Sequence, residues 1–249
     1  MSLFNATGLV KSFHSLRATD DVDISVNANE VHALIGPNGA GKTTLVNLLT
    51  GPLKPDSGKI LLDGDDITRL PPHQRARRGL GRTYQINALF RSMTPVEAVS
   101  LAIAQRDGNA LRVFGTAALG RRTGEEAREL LQAVGLGQYM NHITRELPYG
   151  LQRLLEVALA LAGKPKVLLL DEPAAGVSAQ AGDQLFRLID SLPADLAILL
   201  IEHDMRLVFR FAKRITVLVG GGVLVEGTPE EIAADQRVRD VYLGHKHAA

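Results

Sequence analysis

The sequence predicts an α/β fold built on a largely parallel sheet, and two of its patterns support this prediction. Continuous apolar runs of strand length occur at Val31–Ile35, Val167–Leu170 and Ala197–Ile201, as expected for strands that are covered on both faces. Segments with apolar residues at helical spacing lie between these runs,. Buried strands that alternate with helices indicate an α/β domain.

The composition is that of an ordinary globular protein, and it limits the possible chemistry. The chain has 249 residues, 45% of them hydrophobic, and a formal net charge of +1, which gives no electrostatic case for a nucleic-acid partner. There is no cysteine, so disulfides and thiolate sites are excluded. No apolar stretch approaches the ~18–20 residues that cross a bilayer, and the first residues lack a signal-peptide pattern. Any membrane role is therefore expected to come through another protein.

Local signals predict the remaining elements in chain order. Helices are predicted over residues 43–49, 71–78, 95–105, 151–162 and 179–192, a strand over 58–63, and a hairpin over 215–226. Thr228, Pro229 and Glu231 have the spacing of a capping box with proline at the first helical position, which predicts a last helix. No repeat or long linker interrupts the chain, so residues 1–249 are expected to form one domain.

The segment between the helices at 95–105 and 151–162 carries weaker signals. Residues 107–124 are rich in glycine and arginine without a clean period, which predicts an irregular insertion. Thr123 and Glu126 have capping-box spacing before an apolar helical pattern, so a helix is expected to begin there.

A glycine-rich loop is the most specific motif in the chain. Gly36-Pro-Asn-Gly-Ala-Gly-Lys-Thr43 matches G-x-x-x-x-G-K-[ST] between a predicted strand and a predicted helix,. The glycines let the main chain approach an anion, and the amides and helix dipole attract phosphate. Lys42 is expected to reach the β- and γ-phosphates and the Thr43 hydroxyl to bind Mg²⁺. The residues expected to bind ATP in this phosphate cradle are Gly36, Pro37, Asn38, Gly39, Ala40, Gly41, Lys42, Thr43 and Thr44.

Two acids end the buried strand at Val167–Leu170. Asp171 and Glu172 follow four apolar residues, and a carboxylate at such a position needs a cation partner. Asp171 is predicted to hold Mg²⁺, and Glu172 to act as general base for the attacking water. Taken alone, this pattern could equally be a strand that ends in two solvated acids. The presence of the phosphate cradle in the same chain favours a metal site.

The other landmarks narrow the kind of P-loop NTPase. No Asn-Lys pair occurs, so the guanine-reading motif of GTPases is missing, and no lid or acceptor site of a small-molecule kinase is evident. From Gly8 to about Gly244 the chain resembles the ATP-binding subunit of ABC transporters, most closely the LivG-like ATPases of branched-chain amino-acid importers. The segments that carry the closer resemblance are Gly81–Gln85, Leu89–Thr94, Leu147–Gln152, Asp171–Gly176, Ile201–Asp204 and Val241–Gly244.

This resemblance implies a RecA-like parallel core, an N-terminal antiparallel β subdomain, a helical signature subdomain at about 95–163 and a C-terminal helical tail at about 228–249. It implies that Phe13 stacks on adenine, that Gln85 contacts the metal and the water, and that His203 contacts the γ-phosphate. The signature loop implied to cap ATP held by a second subunit is Leu147, Pro148, Tyr149, Gly150, Leu151 and Gln152. Taken alone, Phe13 fits a core residue and His203 a solvated turn.

Three positions depart from the usual family pattern. Pro148 stands where the signature usually has serine, Tyr149 replaces a glycine, and Ser178 replaces an acidic or amide residue. Pro148 removes a hydroxyl from the contact with ATP held by the second subunit. Ser178 puts another contact across the dimer in doubt.

The resemblance implies ATP and Mg²⁺ as ligands and a location at the cytoplasmic face of the cell membrane. The implied partners are a second ATPase subunit, identical or paralogous, transmembrane permease subunits and, indirectly, a substrate-binding protein. The expected function is to energise import of branched-chain or related amino acids. The alternatives are another ABC uptake system, a lipopolysaccharide-type exporter, or a soluble chromosome or repair ATPase, which would need coiled-coil or DNA-binding segments.

A group of arginines is the remaining feature of note. Its members are Arg69, Arg75, Arg77, Arg78 and Arg82. They are interpreted as a solvated basic helix face, with a nucleic-acid or lipid-headgroup patch as the alternative.

Overall fold

The computed structural model describes residues 2–83, 89–108, 117–177, 179–190, 192 and 195–243. The strands are β1 Ser2–Phe13, β2 Leu16–Asn27, β3 Val31–Ile35, β4 Ser57–Leu62, β5 Asp65–Asp66, β6 Leu80–Arg82, β7 Val167–Asp171, β8 Ala197–Ile201, β9 Arg214–Val219 and β10 Gly222–Gly227. The α-helices are α1 Lys42–Thr50, α2 Pro72–Arg77, α3 Pro95–Arg106, α4 Ala117–Ala133, α5 Tyr149–Ala162, α6 Ala179–Asp190, α7 Met205–Phe211, α8 Pro229–Ala234 and α9 Gln236–Leu243.

The chain divides into two compact units. Unit 1 consists of Met1–Leu80 and Pro193–Ala249, and unit 2 of Gly81–Leu192. Among the described residues, none of the helices combines the length and the hydrophobicity needed to span a membrane.

Unit 1 contains an antiparallel sheet in the strand order β2-β1-β4-β5. β1 pairs with β2 on one side and with β4 on the other, both antiparallel. Phe4 and Ala6 of β1 are buried at the two-residue period of a strand,. Leu9 is also buried, three residues after Ala6, where the pairing with β2 shifts register. The predicted N-terminal antiparallel β region is thereby confirmed.

Unit 1 also contains four strands of a second sheet, in the order β10-β9-β3-β8. β3 is parallel to both β8 and β9, with Leu34 opposite Ile201 on one side and Thr216 on the other. β9 and β10 form the predicted hairpin. Because parallel strands end at the same edge of a sheet, the residues that follow β3 and β8 lie at one edge.

The C-terminal helices pack on this sheet. Ile232 of α8 and Val238 of α9 belong to one buried cluster with Ile35 of β3 and Val217 of β9. The capping box of α8 is present, since the Thr228 side chain accepts from the backbone of Glu231 and the Glu231 carboxylate from the backbone of Thr228,.

Arg75 does not belong to a solvated basic face, so that interpretation is wrong for this residue. Its side chain is 1% exposed and its guanidinium donates to the carbonyls of Leu48, Leu49, Thr68 and Leu70 at 2.6–2.9 Å. Two of these carbonyls belong to the last turn of α1, which has no amide partners for them. Arg75 therefore caps the C-terminal end of α1, a role that the spacing of charges does not reveal.

We expect Arg75→Met to lower the free energy of unfolding by about 3–5 kcal/mol, because it leaves several buried carbonyls without donors. Urea denaturation would measure the loss. The matched control is Arg77→Met in the same helix, where the side chain is exposed and a change below about 0.5 kcal/mol is expected. Equal midpoints for both variants would contradict the capping role.

In unit 2, β6 and β7 are adjacent. The Thr83 amide donates to the Leu169 carbonyl at 3.0 Å, and the Asp171 amide donates to the Thr83 hydroxyl at 3.3 Å. Helices α3, α4 and α5 also belong to this unit, and α3 packs on both α4 and α5. Thr94 caps α3 in a reciprocal box with Glu97.

Two predictions for the segment after α3 are wrong. Residues 117–124 are helical, because α4 begins at Ala117 rather than after residue 124. Thr123 is not an N-cap, since it lies inside α4, where its hydroxyl donates to the Gly120 carbonyl at 3.4 Å, a local bond that serine and threonine make within helices. Glu126 instead accepts from Arg106 at 2.7 and 3.0 Å and pairs with Lys164 at 3.0 Å.

The Glu126 pair predicts an acid-sensitive contribution to stability. Hydrogen bonds from Arg106 lower the pKa of Glu126 to about 2. Because the folded pKa lies below the unfolded one, the stabilisation is present above about pH 4.5 and is lost as the pH falls toward 2. We expect it to amount to about 1–2 kcal/mol after solvent screening. Urea midpoints between pH 5 and 2.5 should fall less steeply in Glu126→Gln than in the exposed control Glu125→Gln, and parallel profiles would contradict this.

Candidate functional site

The glycine-rich loop lies in unit 1, between the end of β3 and the start of α1. Gly41 is the N-cap of α1, with φ of 99°, and no side chain caps this end of the helix. The N-cap residue, a glycine, therefore offers no side-chain acceptor to the amides of the first turn of α1. Such an end attracts an anion.

Close approaches explain two glycines of the loop. A Cβ atom on Gly36 would lie 2.2 Å from the Leu218 carbonyl oxygen, and one on Gly41 would lie 2.3 Å from that of Ala18. Any side chain at either position would collide with backbone. The loop is thus pressed against β2 and the end of β9.

The turn between β9 and β10 also supports the loop. The Gly221 amide donates to the Ala40 carbonyl at 3.0 Å, and the Asp20 amide donates to the Gly221 carbonyl at 2.8 Å. β2, the hairpin turn and the loop are thereby joined by main-chain bonds, which hold the loop backbone in place independently of its side chains.

Lys42 folds back over the loop. Its Nζ donates to the carbonyls of Gly36 at 2.6 Å and Pro37 at 3.0 Å. The next residue, Thr43, is exposed, so its hydroxyl is accessible. A fixed ammonium, uncapped amides and an accessible hydroxyl are the donor set that suits a polyphosphate with its metal.

Two other predicted site residues lie in the same unit. His203 follows β8 at the sheet edge where β3 leads into the loop, and its ring is 66% exposed. Its amide donates to the buried Glu202 carboxylate at 3.1 Å. Phe13 ends β1 and is 41% exposed, with Lys11 Nζ 5.7 Å from its ring. Both side chains are accessible, as contact with a ligand requires.

A tyrosine of the C-terminal helix reaches the first residue of the loop. Tyr242 packs against the cluster that contains Ile35 and Val217. Burial raises the pKa of its phenol to about 12, and a hydrogen bond with the Gly36 backbone opposes part of that rise. Sequence reasoning did not assign Tyr242 to the loop, since only packing brings α9 there.

Asp171 and Glu172 lie at the end of β7 in unit 2. The Asp171 carboxylate accepts a hydrogen bond from Arg82 Nη2 at 3.0 Å, and both side chains are largely buried, 13% and 11% exposed. Arg82 is therefore not part of a solvated basic face, which corrects the interpretation of the sequence. Glu172 has φ of 47°, a left-handed conformation that is costly for a residue with a side chain and often marks functional positions.

The loop after Glu172 contacts the signature segment of the same unit. Gly176 has φ of 73°, and a Cβ atom there would lie 3.1 Å from the Tyr149 ring. The Arg153 guanidinium lies 5.2 Å from the centre of that ring and is paired with Glu156 at 2.7 Å. Tyr149, one of the departures from the family pattern, thus fills space beside the loop that carries Glu172.

The signature segment begins a helix, as predicted. Pro148 is the N-cap of α5 and provides no side-chain cap, while Gln152 Nε2 donates to the Leu147 carbonyl at 2.8 Å. The start of α5 is therefore a second helix end without a capping side chain. Gln85 and Ser178 lie outside the described residues.

The donor sets fit the predicted ligands. The loop of unit 1 presents a lysine, main-chain amides and the Thr43 hydroxyl, and Asp171 is a hard oxygen donor of the type that Mg²⁺ prefers. Among the described residues, histidine and acidic side chains form no cluster of three that could hold a metal ion. Mg²⁺ commonly binds through one or two carboxylates together with substrate phosphates, so one carboxylate such as Asp171 is enough on the protein side.

Comparisons with known proteins agree with this geometry. The family model described as "ABC transporter" matches residues 19–175. A second model, described as "Branched-chain amino acid ATP-binding cassette transporter", matches residues 223–248.

Curated relatives match over nearly the whole chain. The high-affinity branched-chain amino acid transport ATP-binding protein BraF of Pseudomonas aeruginosa is 42% identical, with 97% of this chain and 98% of the relative covered. LivG of Escherichia coli K12, which carries the same description, is 40% identical with the same coverage. The lipopolysaccharide export system ATP-binding protein LptB of Haemophilus influenzae is 35% identical, with 99% of each chain covered.

A solved structure gives the same result for the fold. The ADP conformation of MJ1267, an ATP-binding cassette of an ABC transporter, is 30% identical, with a TM-score of 0.85 and coverage of 98% of this chain and 99% of that one. The predicted α/β fold class is confirmed.

Proposed function

Because this chain belongs to the ABC transporter family of ATP-binding proteins, we propose that it hydrolyses ATP to energise import of branched-chain amino acids. The observation that carries the proposal is the 42% identity to BraF over 97% of the chain. The match of residues 223–248 to the branched-chain amino acid cassette family supports it independently.

We assign the phosphates of ATP to the loop from Gly36 to Thr44. Lys42 supplies a positive charge within the loop, and the amides at the start of α1 supply uncapped donors. Phe13 is the proposed adenine platform and His203 the proposed γ-phosphate contact. Their exposure and their place in unit 1 support these roles.

We assign Mg²⁺ to the Thr43 hydroxyl, Asp171 and Gln85 on the basis of their motifs. The ion would neutralise phosphate charge and favour departure of the leaving group. Glu172 is the proposed base that accepts a proton from the attacking water. Gln85 is proposed to position that water. Its left-handed backbone conformation supports a functional role, since such strain is retained where the surroundings require it.

We propose that two ATPase subunits, identical or paralogous, enclose the nucleotides. This chain already has one phosphate loop, and the start of α5 is a second helix end without a capping side chain, which can face ATP held by a partner subunit,. Main-chain amides carry this contact because Pro148 provides no hydroxyl. The helical subdomain at 95–163 would present that end, and residues 228–249 would form the tail.

The proposed further partners are permease subunits in the membrane, with a substrate-binding protein acting through them. Phe90, just beyond Gln85 in the chain, is 51% exposed. We place the permease-binding surface at this segment on the basis of the family motif that contains Gln85, and Phe90 is accessible to such a partner. The chain would therefore act at the cytoplasmic face of the membrane.

Uptake measurements test the transport proposal. Cells that lack the gene would be complemented with the parent chain or with Glu172→Gln, and uptake of labelled leucine, isoleucine and valine would be followed. We expect the parent alone to restore uptake. A tagged chain extracted in detergent should also bring down its permeases.

The second candidate is lipopolysaccharide export, favoured by the 35% identity to LptB. Under that function uptake would be unaffected, and lipopolysaccharide would be retained at the inner membrane in cells with Glu172→Gln. Unchanged uptake would contradict the import proposal.

A further inference from the structure

The ion pair between Arg82 and Asp171 has no role in the chemistry assigned above. Arg82 Nη2 lies 3.0 Å from Asp171 Oδ2. The acid proposed to hold the metal therefore already has a cationic partner. With 11% and 13% of the two side chains exposed, water screens this pair much less than a surface pair.

The strands of unit 2 fix this pair in place. Arg82 is the last residue of β6 and Asp171 the last of β7, and Thr83 bonds the two strands next to them. A Cβ atom on Gly81 would lie 3.0 Å from the Pro165 side chain, so Gly81 faces packed atoms. Because side chains alternate along a strand, Arg82 points to the opposite face.

The positive charge of Arg82 affects how tightly Asp171 can bind a divalent metal ion. The Arg82 guanidinium is a positive charge held directly against the Asp171 carboxylate,. A metal ion that approaches this carboxylate meets a fixed positive charge a few ångströms away, and the repulsion is substantial where screening is weak. The hydrogen bond from Nη2 to Oδ2 holds the carboxylate beside this charge.

We propose that Arg82 is the counter-ion that keeps Asp171 from binding divalent metal in the absence of nucleotide. Phosphate oxygens add the negative charge that outweighs Arg82, so metal enters the site together with ATP. Arg82 acts through Asp171 and is a positioning residue rather than a catalytic one. This inference rests on the proposed function, which assigns Asp171 to the metal.

Titration with Mn²⁺ in the absence of nucleotide tests the inference, with free Mn²⁺ followed by electron paramagnetic resonance. We expect Arg82→Gln to bind Mn²⁺ about tenfold more tightly than the parent, because the fixed positive charge is gone. Arg82→Lys, which keeps the charge, should behave like the parent. Arg82→Gln combined with Asp171→Asn should lose the gain, which places the new site at Asp171.

Two results would overturn the inference: unchanged or weaker Mn²⁺ affinity in Arg82→Gln, or a gain that persists with Asp171→Asn. Arg82→Met, which keeps most of the aliphatic stem, is a second neutral variant judged by the same criteria, and thermal melting checks that each protein is folded. Binding of trinitrophenyl-ATP to the parent tests the proposed function separately. If trinitrophenyl-ATP did not bind to the parent, the proposed nucleotide site would be contradicted. The Mn²⁺ titration uses no nucleotide and reports on Arg82 alone.

Discussion

Replacement of Glu172 by glutamine is expected to lower the turnover of ATP by about 10²–10³-fold while the dissociation constant for ATP stays within about twofold of the parent. The amide keeps the size of the side chain but cannot accept a proton from water. The left-handed backbone at residue 172 costs the same for both residues, so the fold should be unaffected. Phosphate release under saturating Mg·ATP measures the effect.

The same variant should accumulate as an ATP-bound dimer, because closure of two subunits no longer ends in hydrolysis. Size-exclusion chromatography with and without ATP would detect it. Glu125→Gln, the same change at an exposed position of α4, is the matched control and should keep the turnover of the parent. If Glu172→Gln and Glu125→Gln turned over equally, Glu172 would not be the base.

Replacement of Lys42 by alanine is expected to weaken ATP binding by about 10²-fold or more. Each charge-assisted hydrogen bond to phosphate contributes about 1.5–3 kcal/mol, and this ammonium can make more than one. In the structure the ammonium lies 2.6 Å from the Gly36 carbonyl and 3.0 Å from that of Pro37. We assign the Lys42 ammonium to the phosphates because it lies within the loop.

Fluorescence titration with trinitrophenyl-ATP would measure the loss, beside a melting curve that shows the variant to be folded. Lys54→Ala is the matched control, since Lys54 is exposed on the loop after α1 and should leave affinity unchanged. A similar decrease in both variants would indicate a general effect of charge on binding, and no decrease in Lys42→Ala would place the nucleotide elsewhere.

The sequence predicted those features that depend on local pattern. The apolar run Val31–Ile35, the glycine-rich loop and the start of α1 follow one another in the chain, so their order alone indicates a phosphate site. The capping box at Thr228 and Glu231 is likewise local, and it is present. The hairpin around Gly220 and Gly221 was predicted for the same reason.

Features that depend on packing were missed. Arg75 and Arg82 look like a solvated basic group in sequence, yet one caps α1 and the other pairs with Asp171. Their partners lie far away along the chain, so no spacing rule identifies them. Thr123 and Glu126 have the spacing of a helix start, but α4 begins before them, and Glu126 bonds to Arg106 of α3. Capping patterns identify a helix start only where the preceding residues do not continue the helix.

The central claim is that the main chain of the glycine-rich loop holds the phosphates of ATP. Backbone amide chemical shifts of the ¹⁵N-labelled protein, recorded during titration with Mg²⁺ and a non-hydrolysable ATP analogue, test it most directly. We predict that the amide signals of Gly39, Gly41, Lys42 and Thr43 move strongly and saturate together. Saturation with these four signals unmoved, or no change anywhere in the spectrum, would contradict the claim.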